Sequence, residues 1–235
     1  KARMKKIGFI GAYDKTDLML YVAKILATLK KKVLIVDNTI TQKSRYIVPT
    51  MNPVVKYITD FEDIDIAVGF TDEEDIKKYL GLTKEQDMEY EYMFVDVDSF
   101  EGFNKYNLKE ANKNYFVTSF DNYSLKKGLE IFTDLKEPIS LSKVLFAREI
   151  LKEEDDYLNY LSSEYKIIWN DYKIYFPMEN GDLSVIYENQ RVAKIKFRRL
   201  SIQYKDGIQY IAEEILGNVE DSEVRRAMKL IERGV

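Results

Sequence analysis

An apolar run at 7–10 gives way to a polar stretch around Gly11, after which apolar residues return at Leu18, Val22, Ile25, Leu26 and Leu29. The first pattern is that of a buried strand, and the second traces one face of a helix. A further apolar run at 33–36 ends on Asp37. Strand, loop, helix, strand is the order of a βαβ unit. Its loop opens on a helix N-terminus, where free backbone N–H groups and the helix dipole attract anions. The same reading along the chain predicts strands at 6–11, 32–37, 64–70, 92–97, 114–118, 140–147 and 172–176. Helices are predicted at 16–30, 72–81, 124–133, 153–162 and 201–216. Segment 182–190 alternates enough for a strand but is read as a short helix capped by Asp182. Strands alternating with helices imply an α/β fold, a doubly wound, mostly parallel sheet with helices on both faces. Ligands of such sheets lie outside the carboxyl ends of the strands, which is where Gly11, Asp37 and Asp96 fall.

Composition narrows the chemistry. The 235 residues contain no histidine and no cysteine. That removes the usual general base, thiolate chemistry, disulfides and the commonest metal ligand. Triad hydrolases, zinc enzymes and histidine acid–base catalysts are excluded. No apolar run is long enough to span a membrane and no signal-peptide pattern is present, so a cytoplasmic protein is expected.

The net charge of −4 hides an asymmetry: residues 1–48 carry 11 Lys+Arg against 3 Asp+Glu, and residues 60–89 carry 11 Asp+Glu against 3 Lys. Such contrast could give a dipolar surface that meets a partner or a second copy, although solvated faces are the commoner meaning of any one charged segment. Lys194, Lys196, Arg198 and Arg199 form a second basic stretch that could contact nucleic-acid phosphates, which would make binding steeply salt-dependent.

The loop after the first strand reads Ile10-Gly11-Ala12-Tyr13-Asp14-Lys15-Thr16-Asp17. A P-loop is G-x-x-x-x-G-K-[ST]: glycines let the backbone wrap phosphate oxygens, the lysine meets the β/γ-phosphates and the hydroxyl ligates Mg²⁺. Gly11, Lys15 and Thr16 match. KKKVLIVDN then places Asp37, and EYEYMFVDVDS places Asp96, at the ends of two later strands, and NYFVTSFDNYSLKKGLEIF follows. In this order the chain resembles the ParA/MinD-like branch of the P-loop NTPases, the SIMIBI class, from Lys5 to about Gly217. The resemblance implies a nucleotide site made of Gly11, Asp14, Lys15, Thr16, Asp37 and Asp96, with Thr16 as the metal ligand. In its late loop Pro177, Met178 and Asn180 stand nearest an adenine base.

Three departures mark the Walker A loop as degenerate. Ile10 stands where the family's signature lysine would reach a partner's nucleotide. Asp14 replaces the glycine before the main lysine, and Asp17 replaces a hydroxyl residue. Both aspartates put negative charge beside a polyanion; two like charges about 4 Å apart repel by roughly 4 kcal/mol at an effective dielectric near 20. Aspartate tolerates a left-handed backbone, so Asp14 need not break the loop. The expected cofactor is therefore none, or weakly bound ATP with Mg²⁺, and the expected ATPase activity is nil. Without phosphate, Lys15 needs Asp37 or Asp96 as a partner, and Thr16 suits a helix N-cap.

Residues 1–217 are expected to form the degenerate ParA/MinD-like domain and 218–235 a C-terminal helical tail. The tail puts Val224, Ala227, Met228 and Ile231 on one face, with Arg225, Arg226 and Lys229 nearby. It is similar to the membrane-targeting helix of MinD-like proteins but lacks their bulky apolar residues. Packing on its own domain or on a neighbour is expected. The resemblance extends to TadZ/CpaE-type localisation proteins. It implies a positioning or scaffolding adaptor in a pilus or secretion assembly, a homodimer with a protein partner, recruited through that partner to the inner face of the membrane. The alternative is an ATP-dependent dimerisation switch in plasmid or protein partitioning, with DNA as a partner.

Overall fold

The apolar runs of the sequence become the inner strands of one eight-stranded sheet in the computed structural model, which describes residues 3–51, 54–149, 151–217 and 221–234. The strands are β1 (Lys5–Ile10), β2 (Val33–Asn38), β3 (Tyr57–Phe61), β4 (Ile64–Val68), β5 (Tyr92–Val97), β6 (Lys113–Ser119), β7 (Ile139–Ala147) and β8 (Ile167–Pro177). Their order across the sheet is β3-β4-β2-β5-β1-β6-β7-β8. Every neighbouring pair is parallel except β3 and β4, a hairpin whose turn residues Glu62 and Asp63 take positive φ. The doubly wound, mostly parallel sheet read from the sequence is present.

The helices are α1 (Thr16–Thr28), α2 (Ser44–Ile47), α3 (Glu73–Tyr79), α4 (Phe100–Lys105), α5 (Asn122–Glu130), α6 (Lys152–Ser162), α7 (Asn180–Val192), α8 (Ile202–Leu216) and α9 (Asp221–Arg233). Successive strand residues point to opposite faces, so each buried strand feeds two cores. Val33 and Ile35 of β2 and Phe94 of β5 join α1, α7, α8 and α9 on one side. Leu34, Val36, Met93 and Val95 join α3, α4, α5 and α6 on the other. Helix α8 approaches β8 closely because residue 207 is glycine: a Cβ there would lie 2.7 Å from the Phe176 ring.

Several boundaries differ from the sequence reading. Strand β3 was not expected; its five residues, Tyr-Ile-Thr-Asp-Phe, put two apolar residues side by side and then two polar ones, so they show no strand period. Strand β8 begins before Tyr172, and its register against β7 shifts between Leu141 and Lys143, which breaks the alternation through Asn170–Tyr172. Helix α7 starts at Asn180, so Asp182 sits in its first turn and is not its cap. Its carboxylate instead accepts the Ser201 backbone N–H at 2.6 Å and the Ser201 hydroxyl at 2.7 Å, tying α7 to the start of α8.

The amphipathic tail packs on its own chain. Val224, Ala227, Met228 and Ile231 are buried against α1 and α8, and Lys205 of α8 pairs with Glu232 at 2.8 Å. The expected division between 217 and 218 borders residues 218–220, which lie outside the described residues, as do 1, 2 and 235. Among the described residues no helix is long and apolar enough to cross a membrane.

Candidate functional site

Strands β1, β2 and β5 deliver Gly11, Asp37 and Asp96 to the same end of the sheet, because they are adjacent and parallel with Asp37 in register with Asp96. The loop 11–15 crosses this end and leads into α1. Gly11 takes φ +146°, and a Cβ on it would meet the Val117 carbonyl oxygen of β6 at 2.3 Å. Only glycine satisfies both the backbone angle and that approach. The loop, the segment after β2 and the start of α5 enclose a cleft of about 270 Å³. Its walls include Tyr13, Asp14, Lys15, Thr16, Lys43 and Asp96.

Lys15 is 3% exposed, and its ammonium reaches the Gly11 carbonyl at 2.7 Å and Asp96 Oδ1 at 2.7 Å. Its carboxylate partner is Asp96 and not Asp37. Burial pushes the Asp96 carboxyl up to about 7; Lys15 opposes that rise and the nearby Asp37 adds to it. Asp37 is spent elsewhere. One oxygen accepts the Thr39 N–H and hydroxyl, at 3.1 and 2.6 Å, and the other accepts the Ser44 N–H at 3.0 Å.

Thr16 opens α1 as its first helical residue, and Lys15 holds the cap position without a capping side chain. The capping role expected of Thr16 falls to Asp14, whose Oδ1 accepts the Thr16 N–H at 3.1 Å. An aspartate bonding the backbone two residues on is an Asx turn. Asp14 is not among the residues with positive φ, so its tolerance of a left-handed backbone is not used. Its other oxygen pairs with Lys43 at 2.8 Å. Burial pushes the Asp14 carboxyl up, but Lys43 and the Thr16 N–H together hold it below the usual carboxylate range. Asp17 points away toward α7, where Gln190 donates to it at 2.9 Å; burial, helped by Asp14, pushes its carboxyl up to about 7. Ile10 is fully buried in the sheet.

Residues that the sequence reading passed over complete the cleft. Asp98 accepts the Ile40 N–H, and its spacing of two from Asp96 was a usable sign of a shared face. Lys43 lies in a short polar stretch with no periodicity and gave no signal. Tyr13 packs its ring on Phe146, 4.9 Å between centroids. Phe146 and Met178 line a second hollow of about 460 Å³. Asn180 begins α7 and Pro177 ends β8. The basic stretch is divided: Lys194 pairs with Glu62 and Arg199 with Glu188, while Lys196 and Arg198 are exposed.

No protein-family model and no curated protein sequence matches the chain. Solved structures do match by fold. A MinC:MinD cell division protein complex from Aquifex aeolicus contains a chain that superposes with TM-score 0.60 at 16% identity, over 92% of this chain and 97% of that one. A ParA family ATPase from Chlorobium tepidum gives 0.58 at 13%, over 91% and 98%. A variant McdA in complex with ATP, from Cyanothece, gives 0.58 at 13%, over 94% and 99%. These likenesses establish the ParA/MinD P-loop NTPase fold over nearly the whole chain.

Proposed function

We propose that this chain is a positioning or scaffolding protein of the ParA/MinD type whose role does not depend on nucleotide turnover. The observation that carries this reading is the loop's self-sufficiency. Asp14 already occupies the Thr16 N–H at the mouth of α1, and Lys15 is held by Asp96 and the Gly11 carbonyl. The residues present do not fit a triphosphate with its metal, because its charge would meet Asp14 directly. Partner binding through the fold's surface is what remains, and the MinC:MinD complex among the similar structures supports a protein partner. A pilus or secretion assembly, as for TadZ/CpaE-type proteins, is the setting this reading favours. In it, residues 1–217 carry the function and the tail completes their core.

Calorimetric titration with Mg-ATP tests it. No heat of binding in the micromolar range and no phosphate release are expected. Asp14→Gly should strengthen binding, since it removes a negative charge from the wall of the cleft, and adding Asp17→Thr should change it less, because Asp17 points away toward α7. Micromolar affinity with steady phosphate release by the natural chain would overturn the proposal. It would favour the ATP-dependent switch, for which the surviving Gly11, Lys15 and Thr16 speak.

Assembly gives a separate test. With Ile10 in place of the signature lysine, self-association should not require nucleotide. Light scattering is expected to show the same mass with and without Mg-ATP, and any dimer held by the basic and acidic regions to weaken at high salt. A monomer that dimerises only on adding ATP contradicts this.

A further inference from the structure

Three carboxylates fix the segment that follows β2 to the cleft. Asp37 holds Thr39 and Ser44, Asp98 holds Ile40, and Asp14 holds Lys43. The third differs in kind. Asp37 and Asp98 stand at strand ends, whereas Asp14 belongs to the loop after β1 and bonds Thr16 with its other oxygen. A single carboxylate therefore joins two of the segments that line the cleft.

The outer face of the 39–48 segment has little apolar packing to hold it. Ile40 is 80% exposed and Tyr46 83%. Gln42 takes a positive φ, and its backbone N–H donates to the Thr39 hydroxyl at 3.0 Å. Val48 and Ile47 anchor the end of the segment in the core, so it is over 39–46 that position rests on polar contacts and losing one is felt locally.

We propose that Asp14 is a built-in anion that latches the 39–48 segment through Lys43, giving the cleft permanently an arrangement that would otherwise need a bound anion. This deepens the nucleotide-independent reading above, and it can fail separately from it. The helix N-terminus receives its negative charge from within the chain. Lys43 receives a carboxylate where an anionic ligand would have to stand. The Lys43 and Asp14 side chains remain partly exposed, so the pair is screened by salt and modest in strength. Its effect is to select a loop conformation, and the stability of the whole fold depends on it little.

Hydrogen exchange by mass spectrometry on the full chain tests the latch. Asp14→Asn keeps an acceptor for Thr16 but loses the ion pair, and Lys43→Ala loses the same pair from the other side. Both are expected to exchange the amides of 39–48 about two- to fivefold faster, the range that a pair of this exposure supports. Raising salt should speed exchange in the natural chain and leave the two variants unchanged. Asp14→Ala should in addition loosen the first turn of α1, since the Thr16 bond goes too. Equal exchange at 39–48 in the natural chain and both charge variants overturns the latch, whatever nucleotide does. Micromolar Mg-ATP binding by the natural chain, with the variants still exchanging faster, supports the latch while overturning the nucleotide reading.

Discussion

Replacing Lys15 with methionine is expected to lower the unfolding free energy by about 3–5 kcal/mol at pH 8, the cost of stranding one member of a buried ion pair. Lys15 and Asp96 are both almost wholly buried and their contact is 2.7 Å. The loss should shrink toward pH 5. Folding raises the Asp96 carboxyl to about 7, well above its value near 4 in an unfolded chain. Between those values the folded chain holds a proton that the unfolded chain has released, so stability falls as pH rises through that window. Above pH 7 the carboxylate is charged in both states, and among the described residues Lys15 is what offsets its burial. Without Lys15 that charge is uncompensated at pH 8, whereas at pH 5 the carboxyl is already neutral. Urea unfolding at the two pH values measures the difference, and Asp96→Asn in the same background should recover much of it. An equal loss at both pH values would show that the lysine's packing, not its charge, matters.

The second large effect lies at the opposite end of the chain. Val224→Asp should destabilise by about 4–5 kcal/mol, because an unpaired carboxylate would replace a fully buried methyl-bearing side chain. Val224 is inaccessible to solvent in the core shared with α1 and α8. The neighbouring Arg225→Asp is the control, with a change within about 0.5 kcal/mol, as usual for an exposed surface position. Equilibrium unfolding of both variants decides it. If they were equally mild, α9 would have to be a detachable tail in solution.

The inner strands were legible as short continuous apolar runs, and α1 and α8 as patterns of helical period. The elements at the margins were not. Strand β3 is short and paired on one side, and β8 carries an irregularity against β7 that hides its first half. In the cleft, the sequence identified Gly11, Lys15, Asp37 and Asp96 as neighbours, since strand ends in a parallel sheet converge. It did not distinguish Asp37 from Asp96 as the lysine's partner, because that depends on Thr39 and Ser44 satisfying Asp37 first. Nor could it show that Asp14 bonds forward to Thr16 and sideways to Lys43. Both bonds depend on the course of two loops, and loop courses leave no periodic trace.

The central place of β1 has a consequence for the order in which the molecule can be made. Its ladder partners are β5 and β6 alone, so Lys5 has nothing to pair with until Tyr92 has been synthesised. At about 5–20 residues per second the first strand waits on the order of ten seconds. The apolar face of α1 waits longer, since α8 and α9, which cover it, come well after β5 and β6. An emerging chain of this protein therefore carries β1 and the apolar face of α1 before the segments that cover them have been made. During that interval transiently exposed apolar surface makes the growing chain more prone to aggregate than the finished fold.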